Sequence, residues 1–149
     1  MEVLIATGVR YLLVHLSSNF SREELEAVTF NADALREAHD GSEFVAVILT
    51  CLDKHEKARH DFYSRFLAPW VGIDEDSVTG SAHSVLAHFW LTRGCVPKVT
   101  LGGQHYFRAR QCSPRGGDLL VACEGDTRVR IVGSCRLVLD GKFFGSIYM

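Results

Sequence analysis

Apolar side chains at Ala82, Val85, Leu86, Phe89 and Trp90 keep the i, i+3, i+4, i+7, i+8 spacing of one helical face. Ala87 and Leu91 carry apolar surface past that stripe, so the spacing predicts an enclosed helix over about Ser81–Arg93. Gly94 supplies a C-terminal stop and Pro97 bars continuation. Upstream, Tyr11–Leu16 reads as a strand after a short one at Val3–Ile5. Ser21-Arg-Glu-Glu24 has the capping-box pattern that opens a short helix, and Asn31 caps a second through about Ala38. After an Asp40-Gly41 turn, Glu43–Leu52 is an apolar, β-branched strand and Ala58–Phe66 alternates as another. Beyond the central helix, short strands are predicted at Lys98–Leu101, Gln104–Cys112, Asp118–Cys123, Arg128–Val132, Cys135–Leu139 and Lys142–Tyr148. Gly-containing turns separate them, and Asp140-Gly141 is the strongest hairpin signal. The pattern predicts an α+β fold in which a curved antiparallel sheet wraps one apolar helix.

Composition narrows the class without choosing a function. Hydrophobic residues are 47% and charged residues 23% of the 149 residues, which suits one globular domain with a real core over 1–149. The net charge of −2 and the lack of a Lys/Arg run give no electrostatic case for nucleic acid. No apolar run approaches the roughly 18 residues of a bilayer span. Met1-Glu-Val-Leu-Ile-Ala6 lacks a signal-peptide pattern, so a cytoplasmic protein away from membranes is expected. The five cysteines are odd in number with no C-x-x-C pair, and read as structural thiols in a reducing compartment. His83 and His88, five apart, fall on different sides of a helix, and neither a zinc site nor any other metal or cofactor is expected.

The chemistry concentrates in Asp74-Glu-Asp-Ser-Val-Thr-Gly-Ser-Ala-His83, an acidic loop and a small-residue turn ahead of the helix. Backbone N–H groups following Thr79, Gly80 and Ser81 would lack intrahelical acceptors, and the helix dipole favours a carboxylate or phosphate there. Asp76 supplies an acid or base beside the bound anion. The simpler reading is an N-cap worth about 1 kcal/mol. Arg65 either pairs with Asp74, Glu75 or Asp76 or lies on a strand surface. His83 is read as structural, His88 as satisfied or exposed, and Trp70 and Trp90 as core or cleft wall.

Arg65-Phe-x-x-Pro69-x-x-Gly72-x-x-Glu75-Asp76-x-Val78-Thr-Gly-Ser-Ala-His83 resembles the second-domain signature of the phenazine-biosynthesis PhzF-like family. Gln111-Cys-Ser-Pro-Arg-Gly-Gly117, Arg130-Ile-Val-Gly-Ser134 and Val138-Leu-Asp-Gly141 follow in the family's order. The likeness is strongest to the animal phenazine-biosynthesis-like domain-containing proteins, also called MAWD-binding proteins. It implies a lobe like those of diaminopimelate epimerase, in which two pseudo-symmetric lobes enclose a cleft and each offers a helix N-terminus to the substrate. It also implies a cofactor-independent isomerase that moves a proton on a small carboxylate-bearing substrate. Asp76 and Ser81 match the family's active-site Asp and Ser, and Thr79, Gly80 and Ala82 match the surrounding anion-binding turn.

Three departures accompany the resemblance. The family's general-base Glu and its first lobe have no match here, so the chain is expected to represent the C-terminal lobe, weak or inactive alone. Ser77 replaces a usual Pro and should loosen the loop. Asp118 stands where many members carry Arg. The alternative expectation is a non-catalytic binding module whose open interlobe face meets a protein partner or a second copy.

Overall fold

Both short helices form where their caps predict. The computed structural model describes residues 1–17, 19–53 and 59–142. Strands β1 (Glu2–Ala6) and β2 (Tyr11–His15) precede α1 (Arg22–Ala27), where the Ser21 hydroxyl accepts the Glu24 N–H at 3.1 Å and the Glu24 carboxylate accepts the Ser21 N–H at 2.7 Å. Asn31 accepts the Asp33 and Ala34 amides to open α2 (Ala32–Ala38). Gly41, at φ 79°, then turns the chain into β3 (Ala46–Leu52). β4 (Phe62–Leu67) and a 3-10 turn (Pro69–Val71) lead to the central helix α3 (Gly80–Thr92). Four strands follow: β5 (Val99–Leu101), β6 (Gln104–Gln111), β7 (Gly117–Glu124) and β8 (Arg128–Gly133).

The sheet runs β1-β2-β3-β4-β6-β7-β8, with β5 paired to β6. It is mixed, which corrects the expected antiparallel sheet. β2 lies parallel to β3 and β4 parallel to β6, while the other pairs are antiparallel. Parallel neighbours need a crossover, and the helices supply it: α1 and α2 between β2 and β3, α3 between β4 and β6. Strand residues pointing to α3 build the core, with Ile48, Phe62, Phe107 and Val121 packed among Leu86, Phe89 and Trp90. Trp90 is 1% exposed and its indole N–H donates to the Thr50 hydroxyl at 3.3 Å. The helix is enclosed on one side: Leu91 is exposed, as is His88 on the outer face, whereas His83 is buried.

The predicted strand at Cys135–Leu139 does not form. Leu137, Val138 and Leu139 extend from edge strand β8 at 80–87% exposure. A strand needs a partner edge, and none of the described residues pairs with this segment. The second arm of the Asp140-Gly141 hairpin falls mainly on 143–148, outside the described residues, as does Ala58. Among the described residues, no helix is long and apolar enough to cross a membrane.

Candidate active site

The acidic loop sorts its three carboxylates by partner. Asp74 meets Arg36 at 2.7 Å near the surface. Glu75 forms a two-pronged pair with Arg65, at 2.6 and 2.9 Å. Arg65 is 6% exposed and also donates to the carbonyls of Leu25 and Val28, so it locks the end of α1 to the loop. This settles the Arg65 alternatives in favour of Glu75, and the neighbouring carboxylate raises the Arg65 pKa. Asp76 makes no ion pair among the described residues: its carboxylate accepts only the Thr79 hydroxyl, at 2.5 Å.

That hydrogen bond removes Thr79 from ordinary capping. Thr79 occupies the N-cap of α3 in extended geometry, but its side chain makes no capping bond. Its amide donates instead to the Gln111 side chain at 2.7 Å. The first intrahelical donor is His83, reaching the Thr79 carbonyl at 3.3 Å. The amides of Gly80, Ser81 and Ala82 therefore point from the helix end without an acceptor among the described residues. Gly80 and Ser81 are exposed while Ala82 is buried at the base. The dipole of a 13-residue helix adds its positive end at this place.

Two residues that sequence reasoning did not assign shape the site. Gln111 is fully buried; its amide nitrogen donates to the Asp76 carbonyl at 2.7 Å and the Thr79 hydroxyl at 3.2 Å. It thereby holds the Asp76–Thr79 turn from below. Its place in the Gln111–Gly117 motif was a signal, but alternation alone could not say what it touches. Tyr11 lies 70 positions from Ser81, yet the two hydroxyls are 3.0 Å apart. No local signal links them.

The loop is also tied from outside. Ser113 donates to the Ser77 carbonyl at 2.8 Å and accepts the Gly116 amide at 3.0 Å, so the missing proline does not leave this turn untethered. Gly117 passes so close to Val78 that a Cβ there would sit 2.4 Å from a Val78 methyl. His83 is fully buried; its Nδ1 is 2.7 Å from the Thr79 carbonyl and its Nε2 has no partner among the described residues. Bonding to that carbonyl makes Nδ1 the donor, and burial pushes the pKa down, so the neutral ring braces the cap from inside the core. Cys51 and Cys112 are buried, and desolvation raises their thiols to about 12 and about 11.

Fold and site together define a class: a mixed sheet folded around one helix whose open N-terminus adjoins a carboxylate with no ion-pair partner among the described residues. Residues 1–141 match the PhzC-PhzF family, described as phenazine biosynthesis-like protein, and the chain belongs to that family. A mouse phenazine biosynthesis-like domain-containing protein 1 is 39% identical over 142 residues, covering 94% of this chain and 46% of the mouse protein. A Pseudomonas aeruginosa protein named only as an uncharacterized isomerase is 48% identical over 82 residues, 55% of this chain and 28% of its own. A Clostridium difficile PhzC/PhzF structure superimposes with TM-score 0.66 at 28% identity, over 90% of this chain and 44% of that one. The chain spans about half the length of the curated relatives it matches.

Proposed function

We propose that this chain is the C-terminal lobe of a PhzF-like isomerase, in an arrangement like that of diaminopimelate epimerase. It would take a small carboxylate-bearing substrate and assist a proton shift on it. The observation that carries this reading is the pairing of three unaccepted amides, at Gly80, Ser81 and Ala82, with an Asp76 that has no cation among the described residues to neutralise it. The amides bind the substrate carboxylate. Ser81 adds a hydroxyl that Tyr11 orients, and Asp76 binds substrate or relays the proton through the face not used by Thr79. Moving a proton from carbon needs a positioned base worth on the order of 10²–10⁴-fold, together with closure against water. A second lobe would supply both, so this chain alone is expected to bind the anion and turn over slowly.

The second reading is a binding module. Val3, Leu4 and Ile5 on edge strand β1 are 39–50% exposed, an apolar edge of the kind that a protein partner or a second copy covers.

The intact mass of the native protein separates the two. A polypeptide near twice 16.6 kDa supports the isomerase, and Asp76→Asn and Ser81→Ala should then each abolish deuterium wash-in at the substrate carbon while leaving the fold intact. A native mass of 16.6 kDa, with no shift of the Gly80–Ala82 amides on titration with succinate, would overturn it.

A further inference from the structure

Alternation in the last strands leaves a second set of side chains facing away from α3. Phe107, Val121 and Ile131 pack toward the helix, so their neighbours Arg108, Leu120 and Val132 share the opposite face. Arg108 pairs across to Leu120, and Leu120 to Val132. Beside them, the segment entering β4 brings Arg59 and His60, and together these residues line a cleft of about 320 Å³. That volume is at the small end of ligand pockets. None of Asp76, Thr79, Gly80, Ser81 or Ala82 lines it.

Charge in the cleft is not balanced. Asp118 accepts Arg110 at 2.8 Å and meets His60 Nε2 at 3.0 Å, with Arg59 at 3.8 Å. Its charge is thus shared among neighbours already in place. Arg108 has no ion-pair partner among the described residues, and its Nε is buried without an acceptor. His60 is 5% exposed and gives its Nε2–H to Asp118, so its Nδ1 is an acceptor that a carboxylate does not satisfy. A guanidinium without an ion-pair partner among the described residues, with one nitrogen buried and unaccepted, is unusual, because such groups ordinarily find a partner.

We propose that this cleft is a second ligand site, taking a small carboxylate with an apolar body. The carboxylate matches the guanidinium of Arg108 in geometry and charge. Leu120 and Val132 provide a surface that a planar or branched hydrocarbon body covers. A bare phosphate gains nothing from those two side chains and meets Asp118 with a higher charge. The site is independent of the reading at the start of α3.

Benzoate titrated into the ¹⁵N-labelled chain tests this. Saturable shifts of the Arg108, Leu120 and Val132 amides are expected, unchanged in Ser81→Ala. Arg108→Gln should weaken the affinity at least about tenfold, the scale of one lost charge-assisted pair. Val132→Ser, on a half-exposed edge position, should also weaken benzoate and serves should Arg108→Gln fail to fold. Absence of saturation at tens of millimolar, loss of binding in Ser81→Ala alone, or tighter binding of inorganic phosphate than of benzoate would each overturn the proposal.

Discussion

Gln111→Met keeps the length and most of the volume of a fully buried side chain and deletes its hydrogen bonds. The Thr79 amide then loses its acceptor and the Asp76 carbonyl its donor. A buried polar group left unpaired costs ~1–3 kcal/mol. The Thr79 amide is buried and should bear the full figure; the Asp76 carbonyl is partly solvated and should bear the lower end. Together they put the loss at about 2–4 kcal/mol, a large share of the 5–15 kcal/mol that holds a typical domain. Urea unfolding reads the loss. Hydrogen exchange of the Thr79 amide locates it, since that amide should speed up relative to the parent while the bonded amides of α3 from His83 onward keep their rates. Gln111→Glu retains an acceptor for Thr79 but sets a carboxylate oxygen against the Asp76 carbonyl, so this variant should gain stability as pH falls and the new acid protonates. A Gln111→Met unfolding free energy within about 0.5 kcal/mol of the parent, or unaltered Thr79 exchange, would refute the view that this side chain holds the turn.

Arg65→Met should cost about 3–5 kcal/mol, because the Glu75 carboxylate, 10% exposed, is left without its partner; the double variant with Glu75→Gln should recover part of it, and strictly additive losses in denaturation would contradict the coupling. Gly117→Ala should destabilise by about 1–3 kcal/mol through the Val78 contact, and Val78→Ala should relieve it; no rescue in the pair would remove the steric explanation. Burial lowers the pKa of both His60 and His83 below the ordinary 6.5. The unfolded chain therefore binds protons first, so their contribution is present above about pH 6.5 and is lost as pH falls. Urea midpoints at pH 7.5, 6.5 and 5.5 should drop toward acid, and a flat profile would contradict the neutral buried rings.

The elements with local causes were readable from the chain. α1 and α2 begin at Ser21 and Asn31 because a cap needs only residues three or four positions apart. α3 follows from the spacing of Ala82 through Trp90, and β6, β7 and β8 from alternation between Gly turns. The anion-site reading at Thr79–Ala82 came from the same local logic, and the helix end lies where that logic put it, open among the described residues. Tertiary structure decided what distance in sequence conceals. It made β2/β3 and β4/β6 parallel, because each crossover carries the chain back to the same end of the sheet. It gave Glu75 to Arg65 and Asp74 to Arg36, leaving Asp76 without a cation among the described residues. It set Gln111 beneath Thr79 and Tyr11 beside Ser81, and it left Leu137–Leu139 without a strand partner among the described residues. Caps, stripes and turns depend on neighbours a few residues apart, whereas ion-pair choice, strand direction and the support of a turn depend on which surfaces the folded sheet brings together.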